Sequence, residues 1–310
     1  MGATFRSVGV EAVVPATSAN LGPGFDCLGM ALGIHDHLVA MVTDDPGVLV
    51  HVDGEGADFL PRDERHLVAR AMAQAWAAME VEPPGVVLRC DNAIPQSRGL
   101  GSSAAAIVGG ILLARGLVVE GDALLPDEAV LDLAATMEGH PDNVAATLLG
   151  GFTTAWVATP GADDMHAGAV RRDVHEAVSP VVLVPPSGMS TASARRMLAD
   201  EVSREDAVFN IGRVALLVHA LTEDPGHLMA ATEDRLHQDA RAQAYPTSHA
   251  LVVALRSAGI PAVISGAGPT VLALADASTA AVATEHAPQG WDALVVDPDP
   301  VGARVHVRGA

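Results

Sequence analysis

Lysine is absent from this 310-residue chain; all 18 of its Lys and Arg residues are arginine. A Walker-type phosphate loop, a protein-kinase strand and a pyridoxal Schiff base each require a lysine, so those mechanisms are excluded. Any nucleoside triphosphate must be held by backbone N–H groups, a metal ion and arginine. Cysteine is nearly absent too. Cys27 and Cys90 are too few for a disulfide framework and lack metal-ligand spacing, so a reducing cytoplasm is the expected compartment. Against 38 acidic residues the 18 arginines leave a net charge of −20, with no basic run and no aromatic-basic interleaving. No nucleic-acid partner is expected from such a surface. The longest apolar stretch, residues 103–114, stops at Arg115 and is too short to span a bilayer. The first ten residues show no apolar core followed by a cleavage site, so neither a membrane nor export is expected.

What is present is apolar bulk. Hydrophobic residues make up 49% of the chain, ample for a large core or for two packed lobes. Strands are predicted at 10–15, 48–52 and 86–90 from β-branched content, and an amphipathic helix at 63–80 with Val68, Met72, Ala75 and Met79 on one face. Residues 103–119 form a helical pattern that is apolar nearly all round, which places it centrally. Further helices are predicted at 126–137, 192–199, 206–221 and 227–242, with strands at 152–157, 181–184, 294–296 and 304–307. Residues 262–274 read as a strand pair around a glycine turn. The stretch 159–169, with Pro160, Gly161 and Gly168, is the best linker candidate. Two α/β lobes with a ligand cleft between them follow from this alternation.

The most informative turn is Pro95-Gln96-Ser97-Arg98-Gly99-Leu100-Gly101-Ser102-Ser103-Ala104. Its glycines let backbone approach a ligand closely. Ser102 and Ser103 open the central helix, where free N–H groups and the positive dipole end favour an anion. A hydroxyl there can also ligate a Mg²⁺ that bridges phosphates. Gly99-x-Gly101-x-x-Ala104 fits a dinucleotide fingerprint as well, with Glu120 about 20 residues on. That fingerprint needs a strand running straight into the glycines, whereas residues 95–98 intervene. His35-Asp36-His37 places two imidazoles on one face of an extended segment, but two ligands do not make a metal site, and these histidines read as structural. Asp44-Asp45 and Asp163-Asp164 read as solvated loops.

Two other glycine-rich segments stand in register with that turn: Ser18-Ala19-Asn20-Leu21-Gly22-Pro23-Gly24-Phe25-Asp26 near the N-terminus, and Ser265-Gly266-Ala267-Gly268-Pro269-Thr270 near the C-terminus. In this order the three segments resemble the signature motifs of the GHMP kinases. Glu138-Gly139-His140-Pro141-Asp142-Asn143-Val144, Thr191-Ala192-Ser193-Ala194-Arg195 and His237-Gln238-Asp239-Ala240-Arg241 are most similar to the homoserine kinase branch.

The resemblance implies an α+β fold of two lobes, an N-terminal left-handed βαβ lobe over residues 1–160 that binds ATP and a ferredoxin-like C-terminal lobe over 161–310. It implies transfer of the ATP γ-phosphate to the side-chain hydroxyl of L-homoserine, on the path to threonine. Pro95, Arg98, Gly99, Leu100, Gly101, Ser102, Ser103, Ala104 and Ala105 would wrap the phosphates, with Gly266 and Gly268 in the third motif. Ser103 and Glu138 would hold Mg²⁺, a hydroxyl and a carboxylate suited to a hard cation. Asn20, Asp26, His140 and Asp142 would line the acceptor pocket, and Arg195 and Arg241 would take the α-carboxylate in bidentate geometry. Asn143 and Arg195 would stand at the reacting centre. Some family members carry an Asp where this chain has Asn143, and Asn cannot accept a proton. Alignment and charge neutralisation are then the expected source of rate, which suits a loose phosphoryl-transfer transition state. Two departures stand out: Asn92 replaces a Lys common before the second motif, and His66-Leu67-Val68 replaces Asn-Leu-Val near the adenine. Arg98 is the candidate for the missing positive charge. Assembly into a homodimer is left open by the sequence.

Overall fold

A computed structural model describes residues 4–158, 165–189 and 191–308. Among the described residues eleven strands form two sheets. The first contains β1 (Val10–Asn20), β2 (Gly24–Thr43), β3 (Val48–Gly54), β4 (Gly85–Asn92), β5 (Phe152–Val157), β6 (Ala167–Arg172) and, from the far end of the chain, β11 (Arg304–Val307). Its main path runs β11-β1-β2-β4-β3, and β5 extends from β2 to β6. The second sheet, β7 (Ser179–Val184), β8 (Ala262–Ile264), β9 (Val271–Ala275) and β10 (Asp292–Val295), has the order β10-β7-β9-β8 and is antiparallel throughout. Numbered within that lobe, the order is 4-1-3-2 with helices between its first and second and its third and fourth strands, the split βαβ arrangement of a ferredoxin-like unit.

Helices fill the spaces between. In the first half they are α1 (Leu67–Ala78), α2 (Ser102–Leu117), α3 (Gly121–Leu124), α4 (Asp127–Glu138) and α5 (Pro141–Leu149). In the second they are α6 (Thr191–Arg195), α7 (Arg204–Thr222), α8 (Leu228–Ala231), α9 (Gln238–Arg241), α10 (Pro246–Ser257) and α11 (Ala280–Glu285). Strands β3 and β4 pair in parallel with α1 as their crossover; the other pairings in the first sheet are antiparallel.

The α2 sequence explains its central place. Ile107, Val108, Ile111, Leu113 and Leu117 are fully buried, each contributing roughly 1.5–3 kcal/mol on leaving water. Close packing on α1 requires Gly110, where a Cβ would stand 2.5 Å from the Val68 carbonyl oxygen and 2.7 Å from the Ala71 methyl. In the second sheet, Val181 and Leu183 face one apolar cluster while Val182 and Val184 face the main core, so the strand alternation buries both faces.

Several expectations require correction. Strand β2, at 20 residues the longest, is not apparent as one strand from its glycine-interrupted sequence. The turn-rich segment after residue 15 is mostly strand, because β1 continues to Asn20 and only Leu21–Pro23 turns. The helix expected at 227–242 is two short helices, broken where Asp234 accepts the N–H groups of Leu236, His237 and Gln238. Residues 159–164 of the expected linker, with Asp163-Asp164 and the boundary at 160/161, lie outside the described residues, and the rest of the linker leads into β6. Both β6 and β11, from beyond residue 160, hydrogen-bond into the first sheet.

Candidate active site

The three glycine segments meet. Gly101 occupies a left-handed conformation (φ 70°) at the N-cap of α2 and supplies no side-chain cap, so the helix start faces the cleft with its N–H groups. Behind it, Thr17 donates its backbone N–H to Leu100 at 3.0 Å. From the second lobe, the Ser265 hydroxyl donates to the Gly99 carbonyl at 2.6 Å, and the Gly266 N–H donates to the Ala19 carbonyl at 3.0 Å. Asn20 closes the set by donating Nδ2–H to the Gly266 carbonyl at 2.9 Å and accepting the Asp26 N–H at 3.0 Å. Gly99 and Gly101 are needed on two counts: both have positive φ, and a Cβ on Gly101 would strike the Thr17 hydroxyl.

The cleft that results is lined by Asn20, Asp26, Gly99, Gly101, Ser102, Ser103, Glu138, His140, Asp142, Asn143, Arg195, Arg241 and Gly266 from the sequence-predicted set. Leu100, Ala104 and Ala105 are fully buried beneath it and act as packing. Neither Pro95, Arg98 nor Gly268 lines it. Arg98 is engaged elsewhere: its guanidinium donates to the carbonyls of Gln96 (2.8 Å), Pro185 (2.9 Å) and Pro186 (2.7 Å), tying the turn to the second lobe. Three of its five N–H donors are thus spent within the protein.

Charges in the cleft are arranged in opposed groups. Arg195, on α6, makes a two-pronged ion pair with Asp26 at 3.0 and 2.5 Å. Arg241, on α9, is 1% exposed and donates to the Ala194 carbonyl at 3.1 Å and to His237 Nδ1 at 3.3 Å. Among the described residues no carboxylate stands within ion-pair distance of it, and burial lowers its pKa. Both guanidinium groups lie over the Phe25 ring, 5.4 and 5.5 Å from its centroid. Close to that ion pair, Asp142 pairs with His140 Nδ1 at 2.5 Å, and ligand atoms of Asp26, His140 and Asp142 all lie within 4.8 Å of one another. Burial opposes a charged His140, but the hydrogen bond and charge of Asp142, with Glu138 and Asp26 nearby, outweigh it and raise the pKa.

At the start of α2 the Ser103 hydroxyl donates to Glu138 Oε2 at 2.7 Å. Burial raises the Glu138 pKa, against the lowering by Ser103 and His140. Asn143 is held by Thr17, whose hydroxyl donates to Asn143 Oδ1 at 2.8 Å. Sequence reading missed Thr17, Phe25, Ser97, Met189 and Ala267. Phe25 lies within a quoted motif, whereas Thr17 is revealed only by a contact spanning 126 residues.

A second cavity shares Ser97, Ser102 and Ser103 with this cleft and is further lined by Asp36, Leu38, Leu60, His66, Leu67, Val68, Asn92, Gln96 and Ala106. Asp36 is 4% exposed and accepts the N–H groups of Ala93 (2.8 Å) and Ile94 (2.9 Å) through one oxygen. Burial pushes its pKa up to about 6. The neighbouring histidines serve structure: His35 pairs with Asp299 at 2.5 Å and His37 with Glu11 at 3.5 Å. One cavity thus offers backbone donors at a helix start, and its neighbour a chamber walled largely by Leu38, Leu60, Leu67, Val68 and Ala106.

The chain matches the GHMP kinases N terminal domain over residues 66–151 and the GHMP kinases C terminal domain over 216–293. A homoserine kinase of Streptomyces avermitilis is 52% identical over 304 residues, covering 98% of each chain. The chain belongs to the homoserine kinase family. A homoserine kinase of Clavibacter michiganensis is 49% identical over 98% of this chain and 96% of its own. The crystal structure of homoserine kinase from Cytophaga hutchinsonii superposes with a TM-score of 0.81 at 26% identity, covering 98% of both chains.

Proposed function

We propose that this chain transfers the γ-phosphate of ATP to the side-chain hydroxyl of L-homoserine, giving O-phospho-L-homoserine and ADP on the route to threonine. The observation that carries the reading is a phosphate-type helix N-terminus facing, across one cleft, paired guanidinium groups and a carboxylate cluster. A zwitterionic amino acid has matching charges. Its carboxylate suits Arg241, a buried cation without a carboxylate partner among the described residues, together with Arg195; such a charge is costly to leave unpaired. Its ammonium suits Asp26 and Asp142, with Asn20 and His140 orienting them.

The phosphates lie on the N–H groups of Gly99 to Ser103, and the adenosine occupies the adjoining chamber beside His66 and Asp36. Ser103 and Glu138 fit a divalent ion, since they present two hard oxygens 2.7 Å apart beside that helix start. Mg²⁺ bound there would offset phosphate charge. In the transfer the bond from the γ-phosphorus to the β-bridging oxygen breaks as the homoserine hydroxyl oxygen bonds to phosphorus. The hydroxyl proton passes to a phosphate oxygen, directly or through water. Asn143, anchored through Oδ1 by Thr17, orients the hydroxyl and takes no proton. The free thiols of Cys27 and Cys90 accord with a cytoplasmic setting.

ADP release measured with homoserine, mevalonate, galactose and shikimate tests the assignment. Homoserine is expected to give the highest kcat/KM by a wide margin. A higher value for any of the other three refutes the acceptor assignment while leaving the kinase reading in place.

A further inference from the structure

The imidazole of His66 is 3% exposed and caps α1, its Nδ1 accepting the Val68 N–H at 3.3 Å. An accepting Nδ1 carries no proton, and burial lowers the pKa of the ring, so His66 is neutral with its proton on Nε2. That Nε2–H is buried and has no acceptor among the described residues. A buried donor left without an acceptor forfeits the hydrogen bonds it made with water in the unfolded chain. The ring lines the chamber beside the phosphate turn, and so does Asp36, one of whose oxygens is already engaged by two backbone amides. The chamber wall therefore presents one donor and one acceptor that the protein does not pair with each other.

We propose that His66 and Asp36 together select adenine over guanine, His66 donating Nε2–H to a ring nitrogen flanking the exocyclic amine and Asp36 accepting from that amine. The inference rests on the kinase reading above and concerns the phosphate donor, not the acceptor. The chemistry discriminates on either edge of the purine. Adenine presents its amine beside N1 or N7, an acceptor in both cases. Guanine presents O6 in place of the amine, so its oxygen would face the Asp36 carboxylate, and on the N1 side its N–H would also face the His66 donor. Rejection by such mispairing is stronger than rejection by size, because buried polar groups are left unpaired.

The test measures dissociation constants by calorimetry for ATP, 1-deaza-ATP, 7-deaza-ATP and GTP, on the intact chain and on His66→Ser and His66→Asn. Serine and asparagine both keep an acceptor to cap α1, and only asparagine keeps an N–H donor. In the unaltered chain one of the two deaza analogues is expected to bind roughly tenfold more weakly than ATP, and GTP roughly a hundredfold more weakly. In His66→Ser the deaza penalty disappears, and in His66→Asn some of it returns. Equal binding of ATP and both deaza analogues by the unaltered chain would overturn the proposal, as would a deaza penalty that survives in His66→Ser. Binding is read without turnover, so the result stands apart from whether homoserine is the acceptor.

Discussion

Replacing Asp36 by Asn is expected to stabilise the protein at neutral pH. The carboxyl titrates at about 6 in the folded chain, chiefly through burial, against an ordinary value of 3.8. Its folded-state pKa is thus raised, so the native state binds the proton more tightly than the unfolded chain. The contribution is most favourable below about pH 4 and is lost as pH rises through 6. At 1.36 kcal/mol per pH unit the loss amounts to ~3 kcal/mol. An asparagine retains a carbonyl oxygen for the Ala93 and Ile94 N–H groups, so both hydrogen bonds survive while the buried charge disappears. Denaturant unfolding of both proteins at a series of pH values from 4 to 8 isolates the effect, because other titrating groups cancel in the difference. The variant should gain ~1–3 kcal/mol at pH 7.5 and nearly nothing at pH 4. A difference that stays constant across the series would refute the reasoning. A carboxylate kept at such a cost in the chamber wall accords with the base-selecting role proposed for it.

Gly101→Ala should abolish ATP binding and lower stability by roughly 1–3 kcal/mol, since φ is 70° and the new Cβ meets the Thr17 hydroxyl and, at 3.2 Å, Asn143 Oδ1; unaltered calorimetric ATP affinity would contradict this. Arg195→Lys should raise the KM for homoserine roughly tenfold or more with the KM for ATP unchanged, because a point charge cannot reproduce the two-pronged geometry. Asn143→Asp should not increase kcat, and Asn143→Ala should reduce it roughly tenfold through lost positioning. If Ala eliminated activity while Asp raised it several-fold, a proton acceptor at this position would be required.

The cleft was largely legible in the sequence because its components are local: glycines with positive φ, a helix start opened by two serines and short motifs carry their chemistry within a few residues. Distant partnerships were not. Nothing near Thr17 announces that its hydroxyl holds Asn143, and nothing near Arg98 announces that its guanidinium is consumed by the carbonyls of Pro185 and Pro186. Strand β2 escaped recognition because glycines and histidines interrupt its alternation, while its 20 residues are stabilised by pairing with β1, β4 and β5. The break between α8 and α9 follows from one buried carboxylate, Asp234, taking three backbone N–H groups, a preference that periodicity alone does not reveal. Asp36 was visible only as the residue between two histidines, and its burial on the chamber wall is a tertiary fact.

The ion pair between Asp26 and Arg195 makes the cleft self-neutralising. If the acceptor binds as proposed, with its ammonium at Asp26 and its carboxylate at Arg195, it separates charges that already satisfy each other, and it does so without loss only by bringing both a cation and an anion. An acceptor alcohol with a carboxylate alone would leave Asp26 stranded, and one with an amine alone would leave Arg195 stranded. The resting contact is thus a toll that only a zwitterion avoids, and selectivity among alcohols begins before any hydroxyl reaches the phosphate.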